Sequence, residues 1–152
     1  MRLTLWLRKH QQSQMQFNLI PPAAIRIRRD VGGWGYARGP YVSLSADTTP
    51  HQLPHELTHV AQWWAVTAFC AALLWLAQVA FPSVPLEAMA LSIGVHGGLY
   101  ALSKRYRFWA EVQAYRVSVE TSPERAEDFV KMLHNYDTGK TLAQCRAALL
   151  HT

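Results

Sequence analysis

The alternation of apolar and polar residues sets out a small sheet, then a long helical region. Residues 23–29 place Ile25 and Ile27 on one face and Arg26 and Arg28 on the other, the period-two pattern of a half-buried strand. Tyr41-Val42-Ser43-Leu44-Ser45 alternates again and predicts a second strand. Between them, Asp30 to Pro40 carries four glycines, which is turn chemistry and reads as a hairpin connection. Thr49-Pro50-His51-Gln52 resembles a capping box with proline at the first helical position, so a helix is expected to start near Pro50, or at Pro54. Residues 1–20 read as a short amphipathic arm ended by Pro21-Pro22.

After Gln62 the pattern changes. Trp63 to Phe81 holds no charge over nineteen residues, a length that reaches across a bilayer. Pro82-Ser83-Val84-Pro85 breaks the run, and Leu86 to Leu102 is apolar again except for Glu87 and His96. Residues 63–102 are therefore expected to form an apolar helical hairpin, either embedded in a membrane or buried in the protein. In the first case Lys104, Arg105 and Arg107 lie on the side to which the chain returns, in line with the positive-inside rule. Further on, Ser122-Pro123-Glu124 is a helix start, and Phe129, Met132, Leu133 and Tyr136 recur at helical spacing. A short helix is expected over Leu142 to Leu150. The expectation is one α+β domain over residues 1–152, mostly helical, with a small antiparallel sheet.

Charge and cysteine content narrow the classes. The net charge of +5 includes clusters at Arg26, Arg28, Arg29 and at Lys104, Arg105, Arg107, with no nucleic-acid-binding signature beside them. A solvated face or attraction to anionic lipid accounts for them, and no nucleic-acid partner is expected. Cys70 and Cys145 are too few and too far apart for a disulfide framework and suit a reducing compartment. The apolar stretch at Leu3–Leu7 is short for a cleavable signal peptide and stops at Arg8-Lys9. The expected location is the cytoplasm, or the inner membrane with the site on its cytoplasmic side.

His55-Glu56-Leu57-Thr58-His59 is the stretch with chemistry in it. Positions i and i+4 share a helix face, so His55 and His59 can offer two imidazoles to one metal ion. Glu56 can then take a proton from water and return it to a leaving amine. Catalytic zinc usually has three protein ligands. Neither cysteine has a partner at ligand spacing, which leaves carboxylates and other histidines; Glu111 is the best placed, in a helix-forming stretch with small Ala110 and Ala114 beside it. His96 is a reserve.

Pro50-x-x-Leu53-x-His55-Glu56-Leu57-Thr58-His59-Val60-x-Gln62, followed by Glu111-x-x-Ala114-Tyr115, resembles the small gluzincin-type metallopeptidase domains. It is most similar to compact bacterial and phage domains with an HELTH-V-x-Q motif, over about a quarter of the chain. The resemblance implies a zincin-like fold, Zn²⁺ held by His55, His59 and Glu111, Glu56 as general base, and a peptide or protein substrate. It also implies that the strand ahead of the motif helix, through Val42, Ser43 and Leu44, holds peptide by main-chain pairing. Larger members place an aspartate four residues after the ligand glutamate to orient a histidine; here that position is Tyr115. Tyr115 and His96, with Tyr100 and Arg116, are the candidate oxyanion donors. Against a zinc peptidase stands a non-catalytic zincin-like module, membrane-anchored or not, that keeps the frame for structure or assembly.

Overall fold

The computed structural model describes residues 13–28, 35–83 and 85–150. Four strands come first: β1 (Ser13–Leu19), β2 (Pro22–Arg28), β3 (Tyr36–Arg38) and β4 (Tyr41–Ser45). Helices follow: α1 (Gln52–Ala80), a 3₁₀ segment (Leu86–Leu91), α2 (Ser92–Leu102), α3 (Lys104–Thr121), a 3₁₀ turn (Pro123–Arg125), α4 (Ala126–His134) and α5 (Leu142–Leu150). The architecture is α+β and mostly helical.

The sheet is mixed rather than antiparallel, in the order β1-β2-β4-β3. β2 and β4 run parallel, with Ile25 opposite Val42 and Ile27 opposite Leu44, so residues 30–40 do not join them as a hairpin. The chain instead passes beyond the place of β4, lays down β3, and turns back at Gly39-Pro40 to fill the gap. Gly39 sits at φ +57°, and a Cβ there would also crowd the Trp63 indole at 3.3 Å. Backbone geometry and close approach both call for glycine. A second difference lies at the start. Residues 13–19, expected as part of an amphipathic arm, form a strand paired along β2. The remainder of that arm, with Leu3, Trp6 and Leu7, falls outside the described residues.

One face of the sheet packs on the first turns of α1. Ala23, Ile25, Val42, Leu44 and Val60 are buried together, with Leu53 and Leu57 at the margin. A second apolar core joins α3, α4 and α5 through Val112, Tyr115, Phe129, Val130, Leu133, Cys145 and Leu149. Each fully buried aliphatic or aromatic side chain contributes roughly 1.5–3 kcal/mol. On the terminal helix Cys145 and Leu149 face inward, while Leu142 is 38% exposed.

α1 runs unbroken from the His55–His59 motif into the apolar run, passing through Pro54 in its first turn. Gln52 reaches back to accept from the Thr49 N–H at 3.2 Å, half of the expected capping box. Proline is tolerated there because the first-turn N–H groups have no helical acceptor. The first arm of the apolar hairpin is thus the motif helix itself. The return is divided between the 3₁₀ segment and α2.

Candidate metal centre

Two helices build the centre. α1 sets His55 and His59 one turn apart on the face turned to α3, with ring centroids 5.0 Å apart. α3 brings Glu111, 1% exposed, between them. Its carboxylate lies 3.7 Å from His55 Nε2 through Oε2 and 3.4 Å from His59 Nε2 through Oε1. One donor atom from each of the three residues falls within 4.8 Å of the other two. Ala110 and Ala114, both fully buried beside Glu111, allow the close approach.

The outer nitrogen of each imidazole is already engaged. His55 Nδ1 lies 3.2 Å from Ser118 Oγ, whose own hydroxyl donates to the Ala114 carbonyl at 3.3 Å. With its proton committed, Ser118 Oγ can only accept, so Nδ1 of His55 carries the hydrogen. His59 Nδ1 lies 3.0 Å from Gln62 Oε1, and the Gln62 amide is fixed by donating to the Ala110 carbonyl at 3.0 Å. Both rings are therefore set with Nδ1–H outward and Nε2 turned to Glu111. Tyr100 donates its hydroxyl to Glu111 Oε1. Glu111 Oε2 is buried without a hydrogen-bond partner.

Electrostatics agree with a cation site. Burial works against charge on His59, but the hydrogen bond and charge of Glu111 outweigh it and raise the imidazole pKa. Burial likewise disfavours ionised Glu111, yet His59 holds that carboxyl below its usual range. Burial first, then the neighbouring His59, lowers His55 to about 4, leaving it a neutral donor. The trio thus combines one neutral imidazole with a pair that shares a proton. An unpartnered buried carboxylate oxygen beside two oriented Nε2 atoms is a donor set that could hold a metal ion such as zinc. The residues present fit the ion.

Glu56 stands beside the trio, 8% exposed, on the wall of a cleft of 560 Å³. That volume is in the range of small-molecule and peptide sites. Burial pushes its carboxyl up to about 7; His59 pulls it down, Glu111 raises it, and a hydrogen bond from the Ala37 backbone lowers it. Gly35 makes room: a Cβ there would meet Leu44 Cδ2 at 2.8 Å and Glu56 Oε1 at 3.1 Å.

The other sequence candidates separate. His96 and Tyr100 line the cleft, and His96 Nδ1 is tied to the Tyr106 hydroxyl at 2.7 Å. Tyr115 does not line the main cleft; its ring packs edge-on to His55 at 4.5 Å and its hydroxyl bonds Tyr136. Tyr136 reaches the main cleft in its place. Arg116 turns away to donate twice to the Ala148 carbonyl, at 3.1 and 2.9 Å. Val42, Ser43 and Leu44 are buried inside the sheet between β2 and β3, so their strand is not the edge strand expected from the resemblance. The edge is β3, whose Tyr36, Ala37 and Arg38 all line the cleft.

Ser118, Gln62 and Tyr136 had no role assigned from sequence. Two of them carried a periodic signal: Ser118 follows Glu111 by seven residues on one helix face, and Gln62 follows His59 by three. Searches against protein-family models, curated proteins and solved structures found no match to this chain.

Proposed function

We propose that this chain is a zinc-dependent peptidase of the gluzincin type. The reading rests above all on His55, His59 and Glu111, converging within 4.8 Å with both imidazoles oriented from behind. These three residues would hold the ion. Bound zinc supplies Lewis acidity toward a carbonyl oxygen and toward water. Glu56 takes up a proton at its carboxylate as water attacks the scissile carbonyl, then delivers that proton to the departing nitrogen. A carboxyl raised to about 7 can both accept and give a proton near neutral pH. Tyr136 and His96 border the cleft as candidate donors to the developing oxyanion. The outer edge of β3, unpaired among the described residues, offers main-chain groups along which an extended peptide can pair.

The test combines metal content with turnover. Wild type should carry about one zinc per chain, and His59→Ala and Glu111→Ala should lose it. Glu56→Gln should keep zinc while hydrolysis of a disordered protein substrate falls by roughly 10²–10⁴. No zinc in wild type after reconstitution would overturn the metal site. Undiminished hydrolysis by Glu56→Gln would overturn the role of Glu56, and zinc binding without Glu56-dependent hydrolysis would leave a non-catalytic module.

A further inference from the structure

α1 is inverted relative to the surface helix of a soluble protein. From Ala61 to Ala80 every exposed position is apolar, the larger ones being Trp64, Phe69, Leu73, Trp75, Leu76 and Val79. Of the polar residues in the same stretch, Gln62 is buried and Thr67 and Gln78 are half-buried. A helix on a water-facing surface shows the opposite arrangement. Only 17% of the most apolar part of α1 is buried within the protein, which excludes a core helix. The exposed face extends past both ends of the stretch. Phe81 is 65% exposed at one end, and Leu19 and Ile20 are 83% and 91% exposed at the other, where the Trp64 indole donates to the Pro22 carbonyl at 2.9 Å.

We infer that this outward face of α1, from Ala61 to Phe81, is covered by a lipid bilayer, with the metal cleft opening beside the membrane surface. Twenty helical residues extend about 30 Å, which matches the apolar dimension of a bilayer. A second copy of the chain is the poorer occupant. Protein interfaces carry about one hydrogen bond per 100–200 Å² and a polar rim, whereas no exposed position along this face carries a polar side chain. The net charge of +5 adds attraction to anionic headgroups. Trp63, next to lipid-facing Trp64, lines the cleft together with Ile93, which is itself 56% exposed. The cleft and the lipid face therefore meet within one helical turn. Taken with the peptidase reading, on which this last step alone rests, the substrate is a polypeptide held at the membrane.

Flotation with phosphatidylcholine vesicles, with and without phosphatidylglycerol, tests the surface. Wild type should float with the vesicles, more completely when phosphatidylglycerol is present, and acyl-chain-brominated lipid should quench its tryptophan fluorescence. Leu73→Asp/Leu76→Asp, at exposed positions, should stay with the soluble fraction while keeping the zinc content of wild type. Wild type left at the bottom of the gradient, as a monomer or self-associated, would overturn the inference, as would a double variant that floats equally well. A disordered reporter fused to a membrane anchor should be cleaved roughly tenfold faster or more than the same reporter free in solution, as its effective concentration rises. Equal rates would overturn the substrate class. The zinc content and Glu56-dependent cleavage of the free reporter are read separately, so failure of the peptidase reading is distinguishable from failure of this one.

Discussion

At the residue scale, the groups behind the histidines deserve as much weight as the histidines themselves. Ser118 and Gln62 each fix one imidazole through Nδ1, and each is held by a backbone carbonyl one step further out. Loss of such a partner frees the ring to rotate or change tautomer, typically weakening metal affinity 10–100-fold. Ser118→Ala and Gln62→Leu should therefore each lower zinc affinity by about that range in a competition titration, with far-ultraviolet dichroism unchanged. Affinity equal to wild type in both would mean that α1 alone orients the rings. That His55 and His59 would stand together was legible in the sequence because i and i+4 share a helix face whatever the helix packs on. Ser118 and Gln62 were not: a serine or glutamine becomes a partner only when two helices meet in a particular register. Tyr115 shows the reverse case. Its place four residues after Glu111 marks it as a group on the same face, yet its hydroxyl is taken up by Tyr136.

At the element scale, local pattern located β2 and β4 but not their partners. Each turns its apolar residues to the face on α1, Ala23 and Ile25 in β2 and Val42 and Leu44 in β4, and that sidedness writes the alternation into the chain. β1 alternates as strictly, Met15, Phe17 and Leu19 against Gln14, Gln16 and Asn18, though its apolar residues are exposed, and β3 spans only three residues. That an edge strand lies between the two legible strands in sequence, but outside them in space, is a non-local fact. Its consequence is that β3 and Gly35 line the same cleft as His55, His59 and Glu111. Gly35 is held by space, since a Cβ would press on both Leu44 and Glu56. Gly35→Ala should displace the Glu56 carboxylate while leaving His55, His59 and Glu111 in place. A shift of even about 1 Å in a positioned group can cost 10²-fold in rate, so hydrolysis should fall by roughly 10–100-fold with zinc content unchanged. Full activity in this variant would show that Leu44 yields and Glu56 does not move.

At the scale of the whole molecule, the three candidate metal ligands, His55, His59 and Glu111, stand between two separate cores. Val60 and the sheet residues form one, and the packing of α3, α4 and α5 forms the other. His55 and His59 belong to the helix of the first core, and Glu111 to a helix of the second. An ion held by all three ties the two cores together. A ligand that binds only the folded chain stabilises it by about 2.7 kcal/mol at a hundred times its Kd. For a chain of this length each kcal/mol shifts Tm by about 2–4 °C, so zinc should raise Tm by roughly 5–10 °C over chelated protein in the same vesicles. Glu56→Gln should show the same shift, because Glu56 is not a ligand. Glu111→Ala should show none, because it cuts the link on the α3 side. Phe129→Ala, in the second core, should lower Tm with and without zinc alike, at a cost of about 3–5 kcal/mol for a buried aromatic. A zinc-dependent shift that persists in Glu111→Ala would place the ion on α1 alone, and the two cores would then be joined by packing without the metal.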